Sequence, residues 1–198
     1  MIKKKEINKS LVAPFLTRIY AFLLDYLVIV IYGVVVVGGL SIALRPFITP
    51  LFSHSPAVAE LTGFILLTLP VTLYFALCEQ SRWQGTWGKR RMSIHVINGS
   101  GERIGFGRAF LRSAVKFLPW ELAHFAIWHF MLPNSLSQSI IIAALIASYV
   151  LPVLYLVFPF TNQKRKTVYD WIAGTEVIRL QTMASSQFHD QKQMPSVE

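Results

Sequence analysis

Residues 26–44 and 138–160 contain no charged side chain at all. A helix needs about 20 apolar residues to cross the hydrocarbon core of a bilayer, and in lipid only helices or closed barrels satisfy their own backbone. These two stretches therefore commit the chain to a membrane before any other feature is weighed. Composition agrees: 54% of the 198 residues are hydrophobic and only 15% are charged, which is far from a soluble domain.

The first apolar run begins at about residue 15, and Arg18 and Asp25 lie in its opening turns. A spacing of seven at about 100° per residue places both on one helix face, about two turns apart. Ionisable groups in membrane helices are costly and face a partner, a protein interior or a water-filled cavity. The run is too long for a signal peptide and no A-x-A-like site follows it, so it is expected to stay as the first membrane helix.

The expected fold is an all-α membrane protein: a four-helix transmembrane bundle over about 15–44, 61–78, 109–132 and 138–160, with a small cytoplasmic β-hairpin. Residues 1–14 read as a basic cytoplasmic segment, 15–180 as the membrane domain and 181–198 as a disordered polar tail. Pro46, Pro50 and Pro56 make 45–60 read as a loop. Pro70 predicts a kink in the second helix, with Thr68 or Thr72 satisfying the backbone group it frees. The segments 92–97 and 102–105 flank Asn98-Gly99-Ser100-Gly101 and read as the hairpin, and 175–180 reads as a short strand able to pair with 92–97. Arg108, Arg112 and Lys116 recur every four residues, which predicts a basic helix face at a membrane surface. Thr167 and Asp170 have capping-box spacing, and Gly174 is placed to end the helix they start.

Lys and Arg are distributed unevenly. Residues 1–18 hold five, 79–116 hold eight and the chain from 164 onward holds five, whereas 45–60 has only Arg45 and 133–137 none. The positive-inside rule then puts both termini in the cytoplasm, with an even number of crossings. The net charge of +9 is thereby directed to anionic headgroups rather than to nucleic acid.

Arg18, Asp25, Glu79, Arg112, Lys116 and Asp170 converge on the cytoplasmic boundary, and a network of Arg18, Asp25, Arg112 and Asp170 would satisfy those four charges mutually. Such a network has three readings: a lock on helix packing, ion or proton coupling through Asp25, or substrate binding. Gly85, Thr86, Gly88 and Lys89 form a glycine-rich loop that is too short for a P-loop and lacks its Ser or Thr. Glu121 and His124 make a single E-x-x-H with no second copy, so no metal and no other cofactor is expected. The lone Cys78 excludes an intrachain disulfide. Without a nucleophile–base set, the chain is not expected to be an enzyme.

In this order and spacing the residues resemble the RDD family of membrane proteins, named for one arginine and two aspartates. Arg18 and Asp25 in TRIYAFLLDYLV resemble its first pair, Asp170 in YDWIAGTEVI its second aspartate, and GTWGKRRMSIHVINGSGERIGFGRAFLR its glycine-rich loop and hairpin. The likeness runs over about residues 11–180. Tyr169 stands where the family usually has His. The resemblance implies transport, with cation/proton exchange as one form. The corresponding expectation is an inner-membrane protein that moves a small solute or cation with protons, and four helices would then require a homo-oligomer. The competing expectation is an accessory protein that binds a membrane protein or lipid headgroups through its basic face.

Overall fold

The computed structural model describes residues 12–179. The basic lead before residue 12 and the polar tail from residue 180 lie outside the described residues. Among the described residues, three helices are long and apolar enough to cross a membrane: Phe15–Ala43, Pro56–Gln80 and Gln138–Phe160. A small two-stranded sheet completes a mostly helical fold.

The first of these helices runs as α1 (Phe15–Ile31), widens to a π-helical stretch at Tyr32–Gly38, and resumes as α2 (Gly39–Ala43). Residues 45–60 are not a loop. α3 (Arg45–Ser53) starts with Pro46 in its first turn, where proline's missing N–H costs nothing. α4 (Pro56–Gly63) starts on the next proline, with the Ser55 hydroxyl accepting from the Val58 N–H at 3.4 Å. Pro46 and Pro56 thus begin helices, Pro50 lies inside α3, and the second apolar helix starts five residues earlier than expected. It continues through a π-helical turn, Phe64–Thr68, into α5 (Leu69–Gln80).

After α5 come the short α6 (Trp87–Arg91), β1 (Ile94–Asn98) and α7 (Phe106–Met131), which continues unbroken through Pro119. α7 carries Arg108, Arg112, Lys116 and Glu121, which keeps it out of the apolar set. α8 (Gln138–Val157) packs along it, and α9 (Val168–Ile172) and β2 (Thr175–Arg179) close the described chain.

The predicted hairpin is half right. Its turn forms, with the Gly101 N–H on the Asn98 carbonyl at 3.0 Å and Gly101 at φ +84°. Its second arm is a single bridge, Ile97 to Arg103, because α7 claims the chain from residue 106. β1 instead pairs antiparallel with β2, Val96 opposite Val177, and Val12 bridges to Ile178 on the far edge. Ala13, Ile94, Val96, Ile104, Ala109 and Val177 are buried together beneath the sheet. Residues 12–14, the 81–105 segment and the chain after α8 therefore meet at one end of the helices.

Proline inside a helix frees the carbonyl four residues back. For Pro119 that is Val115, and the Tyr155 hydroxyl of α8 donates to it at 2.7 Å. For Pro70 it is Leu66, and the Tyr32 hydroxyl donates to it at 2.8 Å. The threonine expected to serve Pro70 does not: the Thr68 hydroxyl is buried without a partner. Each freed carbonyl is tied to a neighbouring helix instead, so these prolines join the bundle together.

Candidate functional site

Asp170 is the centre of the site, and local sequence puts it there. Thr167 caps α9, its hydroxyl accepting from the Asp170 N–H while Asp170 Oδ2 accepts from the Thr167 N–H at 3.2 Å and hydroxyl at 2.8 Å. Gly174, at φ +62°, ends the helix after one turn and sends the chain into β2. This leaves the carboxylate fully buried. Oδ2 also receives Arg18 Nη1 at 3.3 Å, and Oδ1 receives Arg112 Nε at 2.8 Å and the Thr175 hydroxyl at 3.2 Å. Burial by itself raises the Asp170 carboxyl, but the guanidinium groups of Arg112 and Arg18 and the Thr167 hydrogen bonds outweigh it and hold it below its ordinary value.

Arg112 joins this aspartate to Glu79. Its Nη1 lies 2.6 and 2.8 Å from the two Glu79 oxygens, and its guanidinium sits 5.0 Å from the Tyr169 ring centre. Lys89 of the glycine-rich loop also donates to Glu79. Burial pushes the Lys89 amine down, and Glu79 partly restores it. Arg18 donates further to the carbonyls of Arg165, at 2.8 Å, and Val177, at 3.1 Å.

Asp25 is equally buried but is held by neither arginine. It accepts from the Gly88 N–H at 2.8 Å, the Thr86 hydroxyl and the Tyr74 hydroxyl at 3.3 Å. The expected four-membered network is therefore two adjoining systems. Arg18, Arg112 and Asp170 do come together, and Glu79 joins them; Asp25 instead anchors the glycine-rich loop to α1. The motif's composition follows from that contact. A Cβ at Gly88 would overlap the Ala21 carbonyl and lie 2.9 Å from the Asp25 carboxyl carbon. A Cβ at Gly85 would lie 3.2 Å from the Ile94 carbonyl.

The basic face of α7 is also corrected. Arg108 is exposed, but the Arg112 and Lys116 side chains are only 2% and 9% exposed and point into the bundle. The four-residue spacing marks an inward stripe, because Glu79 and Asp170 lie opposite it. Lys116 is the member that motif reasoning undervalued. Its amine stands 3.6 Å from Glu79 Oε1 and 4.1 Å from the Phe75 ring centre, and it makes no hydrogen bond among the described residues. Tyr74, Thr167 and Thr175 were missed too; only the Thr167 capping spacing gave any signal of them.

A cavity of about 500 Å³ opens beside the cluster, between α1 and α8 with α5 and α7 behind. Arg18, Asp25 and Asp170 all line it, as do Lys89, Arg112 and Lys116, while the rest of its wall is largely apolar. At the other end of α7, His124 meets the Trp120 carbonyl at 3.0 Å, and no group of three metal-ligating side chains occurs among the described residues.

The sequence matches the RDD family over residues 12–174. The chain belongs to the RDD family. Uncharacterized protein YxaI of Bacillus subtilis (strain 168) is 30% identical over 111 residues, covering 50% of this chain and 72% of that protein. No solved structure matches the chain. In this RDD protein Tyr169 gives Arg112 and Lys116 an aromatic face, 5.0 and 5.4 Å away, where an imidazolium would add a further positive charge.

Proposed function

We propose that this RDD protein is a multi-pass inner-membrane protein that binds a small solute in the cavity between α1 and α8 and exchanges it across the membrane with protons. The observation that carries this reading is the cavity itself, which reaches Arg18, Asp25 and Asp170 together. A dry, sealed cluster would speak only for a packing lock. In this reading α7 is the fourth membrane helix, set against α5 and α8. Both termini are cytoplasmic, as the Lys and Arg distribution argues and as the meeting of residues 12–18 with 165–179 supports. Four helices leave little room for a continuous path within one chain, so such a path calls for a homo-oligomer.

Asp25 is the group that couples protons to opening. Its carboxylate holds Thr86 and Gly88, with Tyr74 as the third donor and Lys89 nearby on the same loop. Protonation weakens the charge-assisted bonds and releases the loop from α1. Inside-out vesicles carrying the protein, loaded with a pH-sensitive dye, test this with sodium, potassium or short carboxylates as the driving solute. Asp25→Asn is expected to abolish solute-linked proton movement. Unchanged movement in a folded Asp25→Asn protein rejects the coupling role.

A second reading rests on a separate surface. Trp83 and Trp87 are 44% and 39% exposed, with Arg90 4.4 Å from the Trp83 ring centre and Arg91 5.5 Å from that of Trp87. This rim suits anionic headgroups or an acidic partner protein and fits an accessory role. A mild-detergent pull-down that returns only the protein itself counts against such a partner.

A further inference from the structure

The cavity has a polar end and an apolar wall, and its charges do not balance. Arg18, Lys89, Arg112 and Lys116 line it with the carboxylates of Asp25 and Asp170, and Glu79 stands behind Lys89, Arg112 and Lys116, so four cations face three carboxylates. Three of those cations are engaged in hydrogen bonds with carboxylates. Lys116 is not; its side chain is nine-tenths buried, yet its amine has only the longer 3.6 Å approach to Glu79. A second unsatisfied group faces the same space: the Thr68 hydroxyl lines the cavity, is buried and has no partner. The Thr68 hydroxyl is thus a buried polar group open to a ligand, and Lys116 a cation whose amine faces the cavity without a hydrogen bond. Away from them the wall is aromatic and aliphatic. Phe22, Tyr26, Tyr149 and Leu156 line it and remain 40%, 46%, 71% and 49% exposed, so the opening between α1 and α8 is itself apolar.

We infer that this cavity is a binding site for a single-chain amphipathic carboxylate, whose head meets Lys116 and whose chain lies along the apolar wall between α1 and α8. The charge surplus selects an anion, and the apolar mouth selects one with a hydrocarbon body that can enter from the bilayer. A volume of about 500 Å³ is in the range of single small-ligand sites, which favours one chain over a two-chain phospholipid. The inference rests on the cavity being the solute site, and it names that solute's class.

The full-length protein in phosphatidylcholine nanodiscs, titrated with radiolabelled octanoate, decanoate and dodecanoate, tests it against protein-free nanodiscs. Saturable binding of one dodecanoate per chain is expected, with affinity rising about fourfold per methylene. Lys116→Gln is expected to weaken binding about tenfold or more, and Arg108→Gln to leave it unchanged. The chain-length series is read on the unaltered protein, so the result does not hinge on how Lys116→Gln folds. Binding no greater than in protein-free nanodiscs overturns the inference, as does equal competition by dodecanol or undiminished binding by folded Lys116→Gln. A co-purified phospholipid that dodecanoate cannot displace, detected by mass spectrometry, also overturns it. Dodecanoate binding without any solute-linked proton movement leaves the site standing and refutes exchange; proton movement without dodecanoate binding does the reverse.

Discussion

The hydroxyl of Tyr155 on the carbonyl that Pro119 frees gives a test in which two substitutions should cancel. Tyr155→Phe keeps the ring, which stands edge-on to Tyr169 at 5.4 Å, and removes only the donor to Val115. Interhelical hydrogen bonds in membrane proteins average about 0.6 kcal/mol and reach about 1.7, and an orphaned carbonyl costs about 1–3 kcal/mol in soluble proteins. The Val115 group is part-buried, so a loss of about 1 kcal/mol is expected. For a chain of this size that lowers the melting midpoint by about 2–4 °C. Pro119→Ala returns an N–H to the helix and gives Val115 its usual partner four residues on. In that background Tyr155→Phe should cost almost nothing. The assay is tryptophan-fluorescence melting of the four proteins in one detergent, read as a double-mutant cycle. An equal midpoint loss in both backgrounds would show that the hydroxyl does not serve the proline, and the interpretation of Tyr32 over Leu66 would fall with it.

Gly88→Ala forces a methyl against the Ala21 carbonyl and the Asp25 carboxylate; about 3 kcal/mol of destabilisation is expected from overpacking and the strained Gly88–Asp25 bond, whereas Gly107→Ala, which meets nothing within 4 Å, serves as the control in the same melt. Glu79→Gln leaves Arg112, Lys89 and Lys116 around a neutral amide and should cost about 3–5 kcal/mol, seen as loss of folded protein after detergent extraction; a midpoint shift under 2 °C contradicts the cluster's charge balance. Asp170 has a folded-state carboxyl held below its ordinary 3.8, so its stabilisation is fully present above that value and is lost as pH falls below it; the acid limb of the melting profile should flatten in Asp170→Asn. Tyr169→His should make stability fall as pH drops through the histidine range, because the new cation faces Arg112 and Lys116; a profile parallel to the parent's in that range refutes this placement.

Much of this architecture is visible in the amino acids, for reasons that differ by element. Uncharged runs announce the first, second and last apolar helices because nothing else in a chain needs them. Thr167, Asp170 and Gly174 announce α9 because capping is local chemistry. Residues 45–60 were misjudged because proline both breaks helices and begins them, and only what precedes it decides; Ser55 beside Pro56 was the available clue. The partner of β1 was divided between a near arm and a far strand. Here helix propagation from residue 106 decided, by removing the near arm. Within the site, Arg18, Arg112 and Asp170 could be grouped from topology alone. The Asp25 clasp could not, because hydrogen bonds from a backbone N–H and two hydroxyls leave no charge signature. The four-residue repeat of Arg108, Arg112 and Lys116 also suggested a surface face, at odds with the Arg112 network, because periodicity reports a shared face but not where it points.

Arg18 and Asp170 are 152 residues apart, and the Ala13 N–H bonds the Val177 carbonyl at 3.1 Å. The ends of the described chain are therefore laced together after everything between them has been placed. During synthesis the first helix must enter the bilayer long before Asp170 has left the ribosome. Until then Arg18 waits without its carboxylate, and Arg112 holds only Glu79. The α9 segment completes both pairs at once when it emerges. A chain truncated before residue 167 would thus keep every apolar helix, with Arg18 left without its carboxylate and Arg112 left with Glu79 alone.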